Sequence, residues 1–305
     1  AMGIKIYREL QLEKPDMIVG WPGIGNIGIT AVDTLRELVG AEEFGEIEPW
    51  DFFYPSRVSI KADVLEELEF PRNKFYGKRF GKRDLIFFIG EEQATEKGAD
   101  YAEGGKAYQL ANLVLDVGEK FNCRRVYTSG AAVASIHHTM KPKVWAVPND
   151  ERLIAEVVAY EHTALMNEGY ISGLNGLLLG VARERGLEGI CVMGEIPIYI
   201  AHFPISYPKA SKSVLEFLIK ILKITVDLGA FDEYVRKVDE HIEGLYRQVP
   251  PEVREHLEKF KEEGYTVPQE SRSAAEKGEK EFMEKIGKLF EDIDQHLKRG
   301  GERGA

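Results

Sequence analysis

Cysteine is nearly absent from this chain: its 305 residues contain only Cys123 and Cys191. A disulfide framework is thereby excluded, and a cytoplasmic setting is expected. An excess of positive charge is also lacking. Forty Lys and Arg against 51 Asp and Glu leave a net charge of −11, with no basic block and no basic stripe interleaved with aromatics. That balance disfavours nucleic acid as a partner. No long uninterrupted apolar run exists, because the most apolar stretch, Val214 to Leu228, is broken by Glu216, Lys220, Lys223 and Asp227. It reads as a buried helix and not a membrane span, and no signal peptide is expected from the opening residues. His-Glu-x-x-His, Cys-x-x-Cys, Gly-x-Ser-x-Gly and Walker A sequences are all missing, so no metal and no cofactor is assigned. His137 and His138 are adjacent, which on an extended segment would point them to opposite faces. His162 and His202 stand alone.

What is present is apolar content of 44%, enough to bury a large core. Continuous apolar runs recur at Met17 to Val19, Leu85 to Ile89, Val126 to Thr128, Val144 to Val147 and Ile190 to Met193. Such runs suit strands covered on both faces. Helical patterns intervene at Asn26 to Val39, Asp100 to Phe121, Asp150 to Ala159 and Asn175 to Arg185. The alternation predicts an α/β fold, a three-layer α/β/α arrangement around a mostly parallel sheet. Residues 44–80 break the rhythm and read as a β-rich excursion, suited to an oligomer contact or to covering a site. After Pro208 only helical patterns remain, at Ser211 to Leu228, Phe231 to Arg247, Pro251 to Glu263 and Ala275 to Lys298. The expected division is an α/β/α domain over 1–228 and a helical C-terminal extension over 229–305.

Gly20-Trp21-Pro22-Gly23-Ile24-Gly25-Asn26-Ile27-Gly28 joins an apolar strand to a helix. Free backbone N–H groups at a helix start favour phosphate or carboxylate. Gly23, Gly25 and Gly28 satisfy the spacing of a dinucleotide fingerprint, with Glu46 and Glu48 near the place of a ribose-binding acid. Against it, Trp21-Pro22 separate the strand end from the first glycine of the fingerprint, and Pro22 removes a donor. Asn26 completes the ligand-binding candidates of this turn; tight turning and close helix packing explain the same glycines equally well.

In open α/β sheets ligands bind outside the carboxyl ends of parallel strands. Four such ends are polar or glycine-rich: 20–28, Gly90-Glu91-Glu92-Gln93, Thr128-Ser129-Gly130 and Gly194-Glu195. If the strands are parallel these loops converge, and Glu91, Glu92 and Glu195 would form an acidic cluster able to hold a cation or act as acid and base. The blander alternative has Glu91 and Glu92 facing water. Ser129 and Gly130 are candidate lining residues. Ser172 to Gly180 form a second glycine-rich helix entrance, where Ser172 or Asn175 could cap the first amides and Gly176 could approach an anion or a packed neighbour. Cys123, beside Arg124 and Arg125, could have a lowered thiol pKa, whereas Cys191 sits in an apolar strand pattern.

Phe282, Ile286, Phe290, Ile293 and Leu297 recur every three or four residues and make a narrow apolar stripe. The stripe docks either on its own domain or on a partner.

The ordered set Gly20 to Gly28, Gly130, Ser172-Gly173-Leu174-Asn175-Gly176-Leu177-Leu178 and Gly194-Glu195 resembles the PAC2 family of proteasome assembly chaperone 2 and its archaeal and bacterial homologues. The resemblance spans about residues 5–228. It implies a phosphorylase- or hydrolase-like three-layer core, homo-oligomers and, in eukaryotes and archaea, help in assembling proteasome subunits. The sequence ends Arg303-Gly304-Ala305 and departs from the hydrophobic-Tyr-x ending by which some such chaperones dock. Two functions follow as expectations. One is a non-enzymatic assembly chaperone or scaffold, with proteasome subunits or another protein as partner. The alternative is a binder or phosphorylase/hydrolase-type enzyme for a nucleoside, nucleotide or sugar phosphate.

Overall fold

The computed structural model describes residues 3–53, 58–66, 68–93, 105–262 and 285–295. In chain order these form β1 (Ile4–Ile6), β2 (Asp16–Gly20), α1 (Ile27–Leu38), β3 (Glu42–Ile47), β4 (Ile60–Lys61), β5 (Val64–Leu65), β6 (Asn73–Phe80), β7 (Arg83–Gly90) and α2 (Gly105–Lys120). There follow β8 (Arg125–Ala134), β9 (Val144–Pro148), α3 (Ile154–Val157), β10 (Thr163–Leu165), α4 (Gly173–Glu184), β11 (Glu188–Pro197), α5 (Ile198–Ala201), α6 (Pro208–Leu222), α7 (Gly229–Gln248) and α8 (Pro251–Glu258). Residues 285–295 are helical and are termed α9.

A nine-stranded sheet runs in the order β1-β3-β6-β7-β2-β8-β11-β9-β10. Its centre, β7-β2-β8-β11, is parallel, while β6, β3 and β1 on one flank and β9 on the other meet their neighbours antiparallel. β2 shows why: Asp16 to Gly20 are buried on both faces, as a central parallel strand requires. Asp16 is the charged exception. Its carboxylate takes Arg124 at 2.8 Å and Arg83 at 3.4 Å, and burial still raises its pKa against those guanidinium groups.

Helices cover both faces. Ile27, Ala31, Val32 and Leu35 of α1 fall at three- and four-residue spacing and pack with α6 against one face. α2 and α4 cover the other with Leu110, Val114, Leu174 and Leu178. The first core continues without a break into the extension, through Ile242 and Leu245 of α7, Leu257, Phe260, Ile286 and Phe290.

One expected element comes out shorter: within 150–159 only a 3₁₀ turn and the four-residue α3 form. The β-rich excursion is present as β3 to β6, but β4 and β5 stand apart as their own two-stranded sheet.

Candidate functional site

The carboxyl ends of β7 and β2 lie side by side, as parallel pairing dictates, and β8 runs on past them to Ala134. On the face covered by α2 and α4, the crevice that an open sheet would offer a ligand is filled by Trp21. Its side chain is 1% exposed and meets the Phe88 ring edge-on at 5.2 Å. Gly90 makes this possible, since a Cβ there would lie 2.2 Å from the Trp21 indole nitrogen. Asn73, paired with Gly90 across β6 and β7, flanks the indole and is also buried. Val19 pairs with Thr128, so Trp21 falls level with Gly130, and Asn175 of α4 lies above that glycine. The Trp21 N–H, the Asn73 carboxamide and the Asn175 Oδ1 have no hydrogen-bond partner among the described residues.

The glycines of this region earn their place by packing. A Cβ on Gly28 would stand 2.3 Å from the Ser129 carbonyl oxygen, so only glycine lets α1 lie on β8. Gly176 is in the same position against the Ile171 carbonyl, at 2.2 Å, whereas Gly180 has nothing within 4 Å. Gly25 and Asn26 carry φ of 60° and 49° and turn the chain into α1. Gly25 offers its carbonyl to the Tyr207 N–H at 2.8 Å, and Asn26 donates to Ser206 Oγ at 3.3 Å. Gly23 faces open space beside a shallow hollow of about 360 Å³ lined also by His202 and Pro204. Ser172 precedes α4 without capping it; the Leu174 N–H donates instead to Gln93 Oε1 at 3.0 Å. The Gln93 amide then donates to the Pro22 carbonyl at 2.6 Å, tying the two glycine-rich entrances together.

The expected acidic cluster does not form. Glu195 is buried and its two oxygens accept from the Lys143 N–H and the Trp145 indole N–H, both at 2.8 Å. Glu91 folds back onto the Arg72 N–H at 2.9 Å, and Glu92 faces water. Among the described residues no group of three or more His, Cys, Asp or Glu is placed to hold a metal. Ser129 and Glu195 lie inside β8 and β11 and not in loops beyond them. Cys123 is likewise corrected: burial, with Asp16 nearby, pushes its thiol up to about 12, because Arg124 and Arg125 turn to Asp16, Glu156 and Glu188. Burial drives Cys191 up to about 11.

The stripe on α9 is used within the chain. Ile286 and Phe290 are 2% and 1% exposed, and the Phe290 ring sits 6.0 Å from Tyr199 and 6.3 Å from Phe203. Ile293 packs on the same core. These three thus pack within the chain, Ile293 only half-buried; Phe282 and Leu297 lie outside the described residues.

One cluster escaped the sequence. His137 and His138 do not diverge: a turn closed by Met140 N–H to the His137 carbonyl brings their rings to 4.2 Å between centroids, inclined at 38°, both buried. His138 Nδ1 is hydrogen-bonded to the Tyr199 hydroxyl at 2.8 Å, which also accepts from the His138 backbone N–H, and His138 Nε2 meets Glu243 at 3.1 Å; the Tyr246 hydroxyl donates to Glu258 at 2.7 Å beside them. The cluster clasps α7 and α8 to the sheet. The only advance signal was the His-His pair itself.

The family model described as PAC2 family matches residues 17–246. An uncharacterized protein of Methanocaldococcus jannaschii is 28% identical over 235 residues, covering 77% of this chain and 84% of its own length. Among solved structures, Pyrococcus furiosus PbaB, an archaeal proteasome activator, aligns with TM-score 0.67 at 28% identity over 79% of this chain and 97% of that one. P. furiosus PbaA, an archaeal homolog of proteasome-assembly chaperone, aligns with TM-score 0.59 at 19% identity over 84% and 97%, and shares the fold.

Proposed function

The chain belongs to the PAC2 family, and we propose that within it this protein is a non-enzymatic assembly chaperone that acts through protein surfaces, with proteasome subunits as its clients. The observation that carries this reading is the filled crevice: Trp21 occupies the switch point of the sheet, and the carboxylates that could do chemistry there are engaged elsewhere or face water. Likeness to an archaeal proteasome activator at 28% identity supports the choice of client. Native mass spectrometry of the purified chain with archaeal proteasome α subunits, unassembled and as a finished core particle, tests it. A chaperone binds the unassembled subunits preferentially; an activator binds the finished particle. Absence of any complex with either at micromolar concentration sinks the proposal.

A second reading, a small-molecule binder, draws on the Trp21, Asn73 and Asn175 polar atoms, which have no partner among the described residues and lie on one face of the sheet. A thermal-shift screen with nucleosides, nucleotides and sugar phosphates separates the two. A ligand at a hundredfold its Kd adds about 2.7 kcal/mol of stability, and a flat response across the screen removes this alternative.

A further inference from the structure

His137 and His138, in the loop after β8, are kept neutral by the hydrogen bonds around them. The Tyr199 hydroxyl oxygen accepts from the His138 backbone N–H at 2.8 Å, and its own proton meets no acceptor among the described residues except His138 Nδ1, also at 2.8 Å. That nitrogen is therefore an acceptor, and the ring hydrogen sits on Nε2, facing Glu243 at 3.1 Å. The Thr139 backbone N–H points likewise at His137 Nδ1, at 3.3 Å, and assigns that ring's hydrogen to Nε2. His137 Nε2 has no hydrogen-bond partner among the described residues and stands 3.9 Å from Glu258. Each Nδ1 thus faces a donor already. A second proton on either ring would oppose that donor, and on both would set two buried charges 4.2 Å apart.

What these rings hold is the chain beyond α7. The His137 backbone N–H donates to the Phe260 carbonyl at 3.1 Å, which ties the loop to the 3₁₀ turn Lys259–Lys261. Tyr199 of α5, the partner of His138, lies 6.3 Å from the Phe260 ring. Tyr246 of α7 meets His137 edge-on at 5.1 Å and His138 at 4.7 Å, while its hydroxyl reaches Glu258 of α8. Every carboxylate that faces the pair is already matched with a cation: Asp239 with Lys209 at 2.8 Å, Glu243 with Arg247 at 3.0 Å, and Glu258 with Lys261. Little negative charge is left to steady an imidazolium. Tyr199 and Tyr246 stay un-ionised, since burial raises both.

We infer that the His137–His138 pair is an acid-operated latch: protonation of the rings releases α8 and the turn after it, residues 251–262, while the nine-stranded sheet stays folded. α8 suits release, being eight residues long with only Leu257 buried. A released imidazole is hydrated and takes a proton near pH 6.5, whereas burial first, then His138 and Lys261, hold closed His137 down at about 4. Closure is therefore fully favoured above pH 6.5, and each ring shifts the balance toward opening by up to about tenfold per pH unit below it. Glu243 and Glu258 act only at lower pH, because hydrogen bonds from His138 and from Lys261 lower their pKa from 4.5. His241 of α7 and Asp294 of α9, 3.1 Å apart, lie outside the cluster, and acid strengthens their ion pair; α9 is for that reason not the segment to watch. The latch stands apart from the chaperone reading, because it requires no client.

The test is hydrogen exchange on the full chain at pH 7.5 and pH 5.5, corrected for the intrinsic pH dependence of amide exchange. Peptides covering 251–262 should exchange at least tenfold faster at the lower pH, while those of β2 and β8 keep their protection. His137→Gln should remove much of that acceleration, and the double variant His137→Gln, His138→Gln should remove it altogether. The double variant is judged by its response to pH, whatever its rate at pH 7.5, so a loosened chain still gives an answer. A wild-type segment that stays protected at pH 5.5 overturns the inference, and so does an equal acid response in wild type and double variant. Acceleration shared by β2 and β8 means global unfolding and overturns the local release.

Discussion

The glycine-rich ends of β2 and β7 and the hairpin of β4 and β5 are opposites. The first region is dense with sequence signals and has no room: Trp21, Gly28 and Gly90 pack to contact. The second carries no motif at all and is bare, with Ile60 and Leu65 mostly in water. A recognisable turn thus marks how the fold is made, whereas the surface available to other molecules lies in a stretch without punctuation. The residues that build the fold and those left bare to other molecules are different residues here, in keeping with the rule that fold does not fix function.

The contrast breaks most visibly at Gly28. A Gly28→Ala change forces a Cβ to within 2.3 Å of the Ser129 carbonyl oxygen, and should cost roughly 3 kcal/mol or more through displacement of α1 from β8. A urea midpoint close to wild type would show that the turn has slack and could admit a ligand. Next in size, Phe290→Ala should cost about 3 kcal/mol, as deletions of buried aromatic rings do, and should speed amide exchange across 285–295. If exchange there is unaltered, α9 belongs with the bare regions and its stripe is free for a partner.

Titration probes the clasp between sheet and extension. Burial, then the neighbouring His138 and Lys261, hold His137 down at about 4, with Glu258 and Glu243 opposing. His138 is lowered by burial too, against Glu243 and Asp239 and with Lys209. An unfolded histidine titrates near 6.5. Between that value and about 4 the unfolded chain binds a proton that the folded His137 refuses, so stability is complete above pH 6.5 and falls as pH drops. The loss should be on the order of 2 kcal/mol, and His137→Gln should flatten it. A pH-independent unfolding midpoint over that interval would mean the pair is hydrated. Smallest of all, Leu65→Thr should move the unfolding free energy by less than about 0.5 kcal/mol. A larger loss would show that the hairpin leans on its own chain after all.

Much of the architecture was legible in the sequence, because β2, β7, β8 and β11 are buried on both faces and leave apolar runs at 17–19, 85–89, 126–128 and 190–193. The candidate site was legible only as a list of turns. β8 and β11 run on to Ala134 and Pro197, through Ser129-Gly130 and Gly194-Glu195, where small and polar residues end the apolar pattern without ending the strand. Residues that look like loop beyond the sheet are therefore inside it, and Glu195 is carried away from Glu91 toward Trp145. His137 and His138 were read as extended because nothing local announces the turn at Met140. The stripe at 286, 290 and 293 was plain as a pattern. What it rests on, Tyr199 and Phe203, lies about 90 residues earlier in the chain and is fixed only by the fold.

Gln93 gives the two glycine entrances a common fate. One side-chain amide accepts from the first turn of α4 and donates to the chain ahead of α1, on opposite faces of the sheet. Anything that pulls one helix start outward is felt at the other through a single planar group. A carboxylate of the same shape at 93 could still accept from Leu174 yet could not donate to Pro22. The two halves would then come uncoupled with every apolar contact intact, and the layers of this protein are in that sense buttoned together as well as glued.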